Sequence, residues 1–240
     1  MEIIPAIMPK NYEDLKNKIA LVRGLVDVVQ VDLMDGVFTH GKTWPFFAKA
    51  TQGTPFLDNS LDEHFTRILN EQEGMPFWED IEYEFDLMIN RAHDNFDNFL
   101  KLGAKRIIFH IEAEGDLIEF RDFLEAIDLY IREHTRIGIA INIDTPIEDL
   151  KILVPHIDFI QCMGIAQIGK QGEPFDERVQ EKIKTLKSLY PELTMSVDGG
   201  IDIEMAEKLI DIGVDRLAIG SAIFANSDIS QTIQNFKNLE

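Results

Sequence analysis

Val31-Asp32-Leu33-Met34-Asp35-Gly36 and, far downstream, Val197-Asp198-Gly199-Gly200-Ile201 are strand-like stretches that each run into an aspartate and a glycine turn. Strand interiors rarely hold aspartate, because a buried carboxylate is costly unless it is paired or used. Two such carboxylates, distant in sequence, point to one shared site. Facing each other across a pocket, one can remove a proton and the other can return one.

Outward from these stretches the chain alternates strand and helix. Ile3–Met8, Val28–Leu33, Tyr83–Ile89, Arg106–Ile111, Ile137–Ile143, Ile157–Met163, Leu193–Val197 and Arg216–Ile219 read as eight strands. Between them, Leu15, Ile19, Val22 and Leu25 recur at helical spacing behind an Asn11 cap. Phe96–Leu102 reads as a helix closed by Gly103, and Phe120, Phe123, Leu124, Ile127 and Ile131 mark one long helix. Thr145-Pro146-Ile147-Glu148 joins a capping box to a first-turn proline and predicts a further helix. Val179, Ile183 and Leu186 share a helical face that Pro191 ends, and Met205, Leu209 and Ile210 share another that Gly213 ends. Ser221–Asn226 and a last helix to about Leu239 complete the pattern.

Eight such units in 240 residues predict an α/β fold, a (β/α)8 barrel, for which about 250 residues is typical. A doubly wound open sheet is the competing architecture. No Gly-, Pro- or Ser-rich linker divides residues 1–240, so a single barrel domain is expected. One stretch, about 37–80 after strand two, breaks the rhythm. It carries Trp44, Phe46, Phe47, Phe56, Leu57, Phe77 and Trp78, with a helix expected near Leu61–Leu69. Either it is a lid or subunit contact on the catalytic face, or it is a decorated helix with its own small cluster.

Composition narrows the function. A net charge of -20 repels nucleic acid and anionic membranes, so neither is an expected partner. No apolar run reaches the ~18 residues of a membrane span. Met1-Glu2-Ile3-Ile4-Pro5 lacks the layout of a secretion signal, and Cys162 has no second cysteine to pair with, so a cytoplasmic setting is expected. A phosphorylated small molecule remains compatible with the charge, because backbone N–H groups can hold phosphate locally.

In a barrel the strand ends converge on one mouth. Asp32 is expected to end strand two and Asp198 strand seven, three steps around the ring. A carboxylate can remove a proton next to a carbonyl, and a protonated carboxyl can deliver one to the opposite face, which is epimerisation. Asp35, beside Gly36, reads instead as a turn cap. Gly199-Gly200 after strand seven and Gly220-Ser221 after strand eight sit where this barrel often holds phosphate. Gly169-Lys170-Gln171-Gly172 adds a third such loop, with Lys170 as a charge partner. Met34, Met88 and Met163 fall at or just past strand ends, as a soft apolar wall around the reacting centre would require.

These motifs together resemble the ribulose-phosphate 3-epimerase family. The resemblance runs through Ile4-Pro5-Ala6-Ile7-Met8, Val31–Gly36 with Phe38, Leu87-Met88 and His110 with Glu112. It continues through Asn142 with Thr145-Pro146, Met163, Val197–Ile201 and Gly220–Phe224. It implies a (β/α)8 barrel of the ribulose-phosphate-binding type acting on a pentulose 5-phosphate. It also implies that Asp32 and Asp198 are the two acid/base groups and, with two histidines, ligands of a divalent metal.

The chain departs from the family at that site. Gln30 and Asp86 replace the two histidines, and Ala6 replaces a serine. The family's Asn-Pro-Gly-Phe-Gly-Gly loop is rewritten as Ala166-Gln167-Ile168-Gly169-Lys170-Gln171-Gly172. Amide and carboxylate oxygens suit hard cations better than they suit zinc. Gln30, Asp32, Asp86 and Asp198 therefore form an oxygen-only set for a divalent ion (Mg, Mn, Fe or Zn), or for none. His40 is a conceivable replacement ligand, and His110 reads as a hydrogen-bonded barrel residue. Three functions stay open: an epimerase of a ketose phosphate, another phosphosugar lyase or isomerase on the same barrel, and a non-catalytic phosphosugar binder. The decarboxylase pattern Asp-x-Lys-x-x-Asp has no lysine at its place in Asp32-Leu33-Met34-Asp35. Self-association into a homo-oligomer is expected from the aromatic insertion.

Overall fold

The computed structural model describes residues 1–46, 62–170 and 172–239. Strands β1 (Glu2–Ile7), β2 (Val28–Met34), β3 (Glu82–Met88), β4 (Ala104–His110), β5 (Arg136–Ile141), β6 (Phe159–Met163), β7 (Thr194–Asp198) and β8 (Arg216–Ile219) form a closed barrel in sequence order. Every neighbouring pair is parallel, including β1 with β8, which rules out an open doubly wound sheet.

Helices α1 (Tyr12–Val22), α2 (Glu63–Leu69), α3 (Phe96–Lys101), α4 (Leu117–Ala126), α5 (Leu129–His134), α6 (Arg178–Leu189), α7 (Ile203–Asp211), α8 (Ser221–Phe224) and α9 (Ile229–Lys237) accompany the strands. Their apolar faces supply the outer core. Leu15, Ile19 and Val22 of α1 and Val179, Ile183 and Leu186 of α6 are wholly buried against the barrel. Each such side chain contributes roughly 1.5–3 kcal/mol relative to exposure. Among the described residues, no helix is long and apolar enough to cross a membrane.

The structure corrects three expectations. The long helix over 120–131 is two helices, because the Asp128 side chain accepts the Tyr130 N–H and starts α5 afresh. The helix after Thr145-Pro146 is only a 3-10 turn, Ile147–Leu150. The Thr145 hydroxyl is spent on Glu112 rather than on a cap. Asp32 lies inside β2, which runs on to Met34, whereas Asp198 does end β7.

Among the described residues of the insertion, Trp44 is fully buried, edge-on to Phe65 of α2 and tilted against Tyr12 of α1. Asp62 caps α2, and His64 stacks on Tyr12 at 3.8 Å. This part packs as a local cluster on α1, while Trp78 stays exposed. Phe47, Phe56, Leu57 and Leu61 lie outside the described residues.

The inside of the barrel is polar along much of its length. At its lower end Arg106 grips Glu2 with two bonds of 2.7 and 2.8 Å, and its Nε is 3.0 Å from Glu84. Arg216 pairs with Glu84 and Glu2 and lies over the Phe159 ring at 4.3 Å. Phe159 fits only because its neighbour on β5 is Gly138. A Cβ there would come within 2.2 Å of the ring. This alternating ion network closes the floor and leaves the upper half for the site.

Candidate active site

Side chains alternate inward and outward along a strand, so β2 sends Gln30, Asp32 and Met34 to the barrel interior. The same alternation sends Glu84, Asp86 and Met88 inward from β3. Asp32 and Asp86 are in direct register on adjacent strands. Asp198 stands across β8 and β1, whose inward residues there are Ala218 and Ala6; both line the same cavity as the two aspartates. With only alanines between them, the carboxylates of β2 and β7 reach each other. One oxygen each of Asp32, Asp86 and Asp198 lies within 4.8 Å of the others, and all three residues are buried.

Gln30 ties the pair together. Its Nε2 donates to Asp32 Oδ1 and to Asp198 Oδ2, both at 2.8 Å, and its Oε1 is buried with no partner among the described residues. Asp86 is held from the other side. His110 Nε2 lies 2.8 Å from its Oδ1, and Gln161 Nε2 donates to its Oδ2 at 3.3 Å. Ser196 in turn donates to Gln161 Oε1 at 3.1 Å. Phe38 covers the His110 ring at 5.4 Å between centroids.

Burial and crowding set the protonation. Burial, then the charges of Asp198 and Asp86, push Asp32 well above the usual carboxylate range; the Gln30 amide only partly opposes this. Burial and the Asp86 charge push Asp198 up to about 7, against the pull of Gln30 and His110. Burial disfavours a charge on His110, but Asp86 beside it outweighs this and raises the imidazole above its ordinary value.

These residues fit a divalent cation. Three carboxylates make an oxygen-only donor set, the kind hard cations prefer, whereas Gln30 presents its amide Nε2, a donor, to two of them. The described metal-competent cluster contains Asp32, Asp86 and Asp198 and no histidine. His110 is engaged with Asp86 instead, and His40 lines a separate groove beside Gly169 and Lys170.

A cavity opens at this point. Its wall contains Asp32, Asp198, Met88, Met163, Gly169, Gly172, Gly199, Gly200, Gly220 and Ser221. Met34 lies outside this lining: it is buried beneath the β2 loop, where a Cβ on Gly41 would meet its Cε at 2.9 Å. Asp86 and Gln30 are too deep to line the cavity and act on it through Asp32 and Asp198. Gln171 is outside the described residues. Asp35 caps its own turn, its Oδ1 accepting the N–H groups of Val37 and Phe38 and its Oδ2 that of Asn90.

Local backbone explains the glycine turn. Gly199 and Gly200 have φ of +105° and +71°, and a Cβ on Gly200 would stand 2.7 Å from the Phe175 backbone nitrogen. The β6 loop is thus pressed onto the end of β7, with Gly164 N–H bonded to the Asp198 carbonyl at 2.6 Å. Sequence reasoning missed Ala6, Met8, Ile165, Glu173 and Ala218 as lining residues. Ala6 and Ala218 were legible only as the inward members of strands; their value is the space they leave.

A sequence profile of the Ribulose-phosphate 3 epimerase family matches residues 67–224. Ribulose-phosphate 3-epimerase of Bacillus subtilis is 27% identical over 244 residues, covering 99% of this chain and 98% of that protein. The enzyme of the same name from Eremothecium gossypii is 24% identical, covering 98% and 91%. Among solved structures, 3-hexulose-6-phosphate synthase from Salmonella typhimurium superposes with a TM-score of 0.66 over 100% of this chain and 98% of its own, at 17% identity. That likeness concerns the barrel alone.

Proposed function

The chain belongs to the ribulose-phosphate 3-epimerase family, and on that premise we propose that it epimerises a ketopentose 5-phosphate of the ribulose 5-phosphate and xylulose 5-phosphate type. The observation that carries this reading is the Asp32–Gln30–Asp198 bridge at the base of a cavity walled by glycine turns.

In this mechanism the ketose lies between the two carboxyl groups. One, ionised, takes the proton from the carbon next to the carbonyl, and the electron pair moves into an enediolate. The other, protonated, delivers its proton to the same carbon from the opposite face, inverting it. Each turnover leaves the two aspartates with exchanged protonation, so the reverse reaction uses them in exchanged roles. An acid pushed up to about 7 holds both forms at neutral pH, as alternating acid and base duty needs. The Gln30 amide fixes the direction of both carboxyls. Met88 and Met163 exclude water from the reacting carbon. Gly199, Gly200, Gly220 and Ser221 offer N–H groups to the phosphate.

A divalent cation held by Asp32, Asp86 and Asp198 would supply positive charge against the negative charge that builds on the substrate oxygens.

The test is exchange of substrate hydrogen with solvent deuterium, using ribulose 5-phosphate. The parent chain should wash deuterium into one carbon while forming xylulose 5-phosphate. Asp32→Asn and Asp198→Asn should each suppress this by about 10³-fold or more. Full exchange in both variants would overturn the two-carboxylate mechanism. Tight phosphosugar binding without exchange in the parent would mark a binder.

A further inference from the structure

We propose that Lys170 is the charged contact for the substrate's phosphate and so a specificity-determining residue of this site. The inference rests on the epimerase reading above. Lys170 lines the catalytic cavity together with Asp32, Asp198 and the glycine turns. It also lines the adjoining groove of about 760 Å³ with His40 and Gln167. It therefore stands where the two cavities adjoin.

The charge balance of the cavity singles it out. Among the described residues it is the one lysine or arginine in that wall; the carboxylates there are Asp32, Asp198 and Glu173. Its Nζ donates to Gln167 Oε1 at 3.2 Å, a neutral partner, and no carboxylate of the described residues pairs with it. Lys18, Lys184, Lys187 and Lys208 by contrast are all paired with carboxylates. In a chain with 43 acidic and 23 basic residues, a lysine kept off every described carboxylate at a cavity wall leaves a full positive charge facing the ligand space.

The backbone anchors that charge. Gly169, at φ +83°, packs so closely on the β2 loop that a Cβ would stand 2.7 Å from Thr39 Cβ. The backbone immediately before Lys170 is thereby held against the loop after β2. A phosphate dianion approaching a protein of net charge -20 meets a repulsive field. Backbone N–H groups supply only partial charges, whereas an ammonium adds a charge-assisted hydrogen bond. Glu173, three residues on in the same wall, acts in the opposite sense.

The experiment measures inorganic phosphate affinity by calorimetry and steady-state kinetics with ribulose 5-phosphate and unphosphorylated ribulose, on the full chain. Lys170→Met should weaken phosphate binding and raise KM for ribulose 5-phosphate, each about tenfold, with a smaller change in kcat. Lys170→Arg should stay within about threefold of the parent, and Glu173→Gln should tighten phosphate about threefold. Unchanged phosphate affinity and KM in Lys170→Met would overturn the assignment, as would an equal loss on unphosphorylated ribulose. If the parent epimerises no ketose phosphate yet binds phosphate through Lys170, the epimerase reading fails and this one stands.

Discussion

Gln30 Nε2 lies 2.8 Å from Asp198 Oδ2, joining residues 168 positions apart across the barrel interior. The same nitrogen holds Asp32 Oδ1 at 2.8 Å. One neutral amide therefore sets the directions of two acids. Gln30→Leu should lower kcat for ribulose 5-phosphate by about 10–100-fold and destabilise the protein by about 1–3 kcal/mol at pH 8. Urea unfolding and steady-state kinetics check this. A variant with parent activity would show that the carboxyls orient without the bridge.

Raised values in the folded protein make the contribution of Asp198 and Asp32 to stability fall with rising pH in the presence of a chelator. Asp198 is raised from its ordinary 3.8 to about 7 in the folded protein, and Asp32 is raised too. Between those limits the folded chain binds more protons than the unfolded one, so the slope of unfolding free energy against pH is negative. The melting midpoint in chelator should drop between about pH 4 and 7, and Asp198→Asn should flatten the decline. A midpoint that climbs through this window would contradict the assignment.

Cation preference should follow the oxygen donors. Manganese or magnesium should raise the melting midpoint of the parent, and Asp86→Asn should abolish the rise. Restoring nitrogen donors with Gln30→His and Asp86→His together should shift the zinc-over-manganese affinity ratio upward by about tenfold or more. Competition calorimetry reads the ratio; no shift would mean that these positions are not ligands.

Gly200 is a point of forced contact. A methyl there would meet the Phe175 backbone at 2.7 Å, at a φ of +71°. Gly200→Ala should cost about 1–3 kcal/mol and raise KM for ribulose 5-phosphate more than it lowers kcat. Parent stability and KM would show that the β6 loop yields without cost.

The barrel was legible because strand and helix alternate with clear turns, and the two aspartates because acid is rare within strand sequences. The turns after β7 and β8 stood out as glycines. Other features were hidden for physical reasons. The break at Asp128 depends on whether one side chain caps or stays solvated, and helical spacing continues across it either way. Met34 has the same sequence signature as Met88 and Met163 but is covered by its own loop, a contact made with Gly41 seven residues on. The Gln30 bridge needs the seventh strand to face the second across β8 and β1, which no local pattern reveals. Gln30 and Asp86 were visible as departures from a family pattern, yet the pairing of Asp86 with His110 emerged only from adjacent strands.

The salt-bridged floor bears on biosynthesis. Arg216, on the final strand, neutralises Glu84 of the third and Glu2 of the first. Until the ribosome has released that arginine, the nascent sheet keeps two unpaired edges and a carboxylate short of its counter-ion. Ring closure therefore waits on β8, and a chain stopped before β8 should partition into aggregates during expression, as sedimentation of the translation product would reveal.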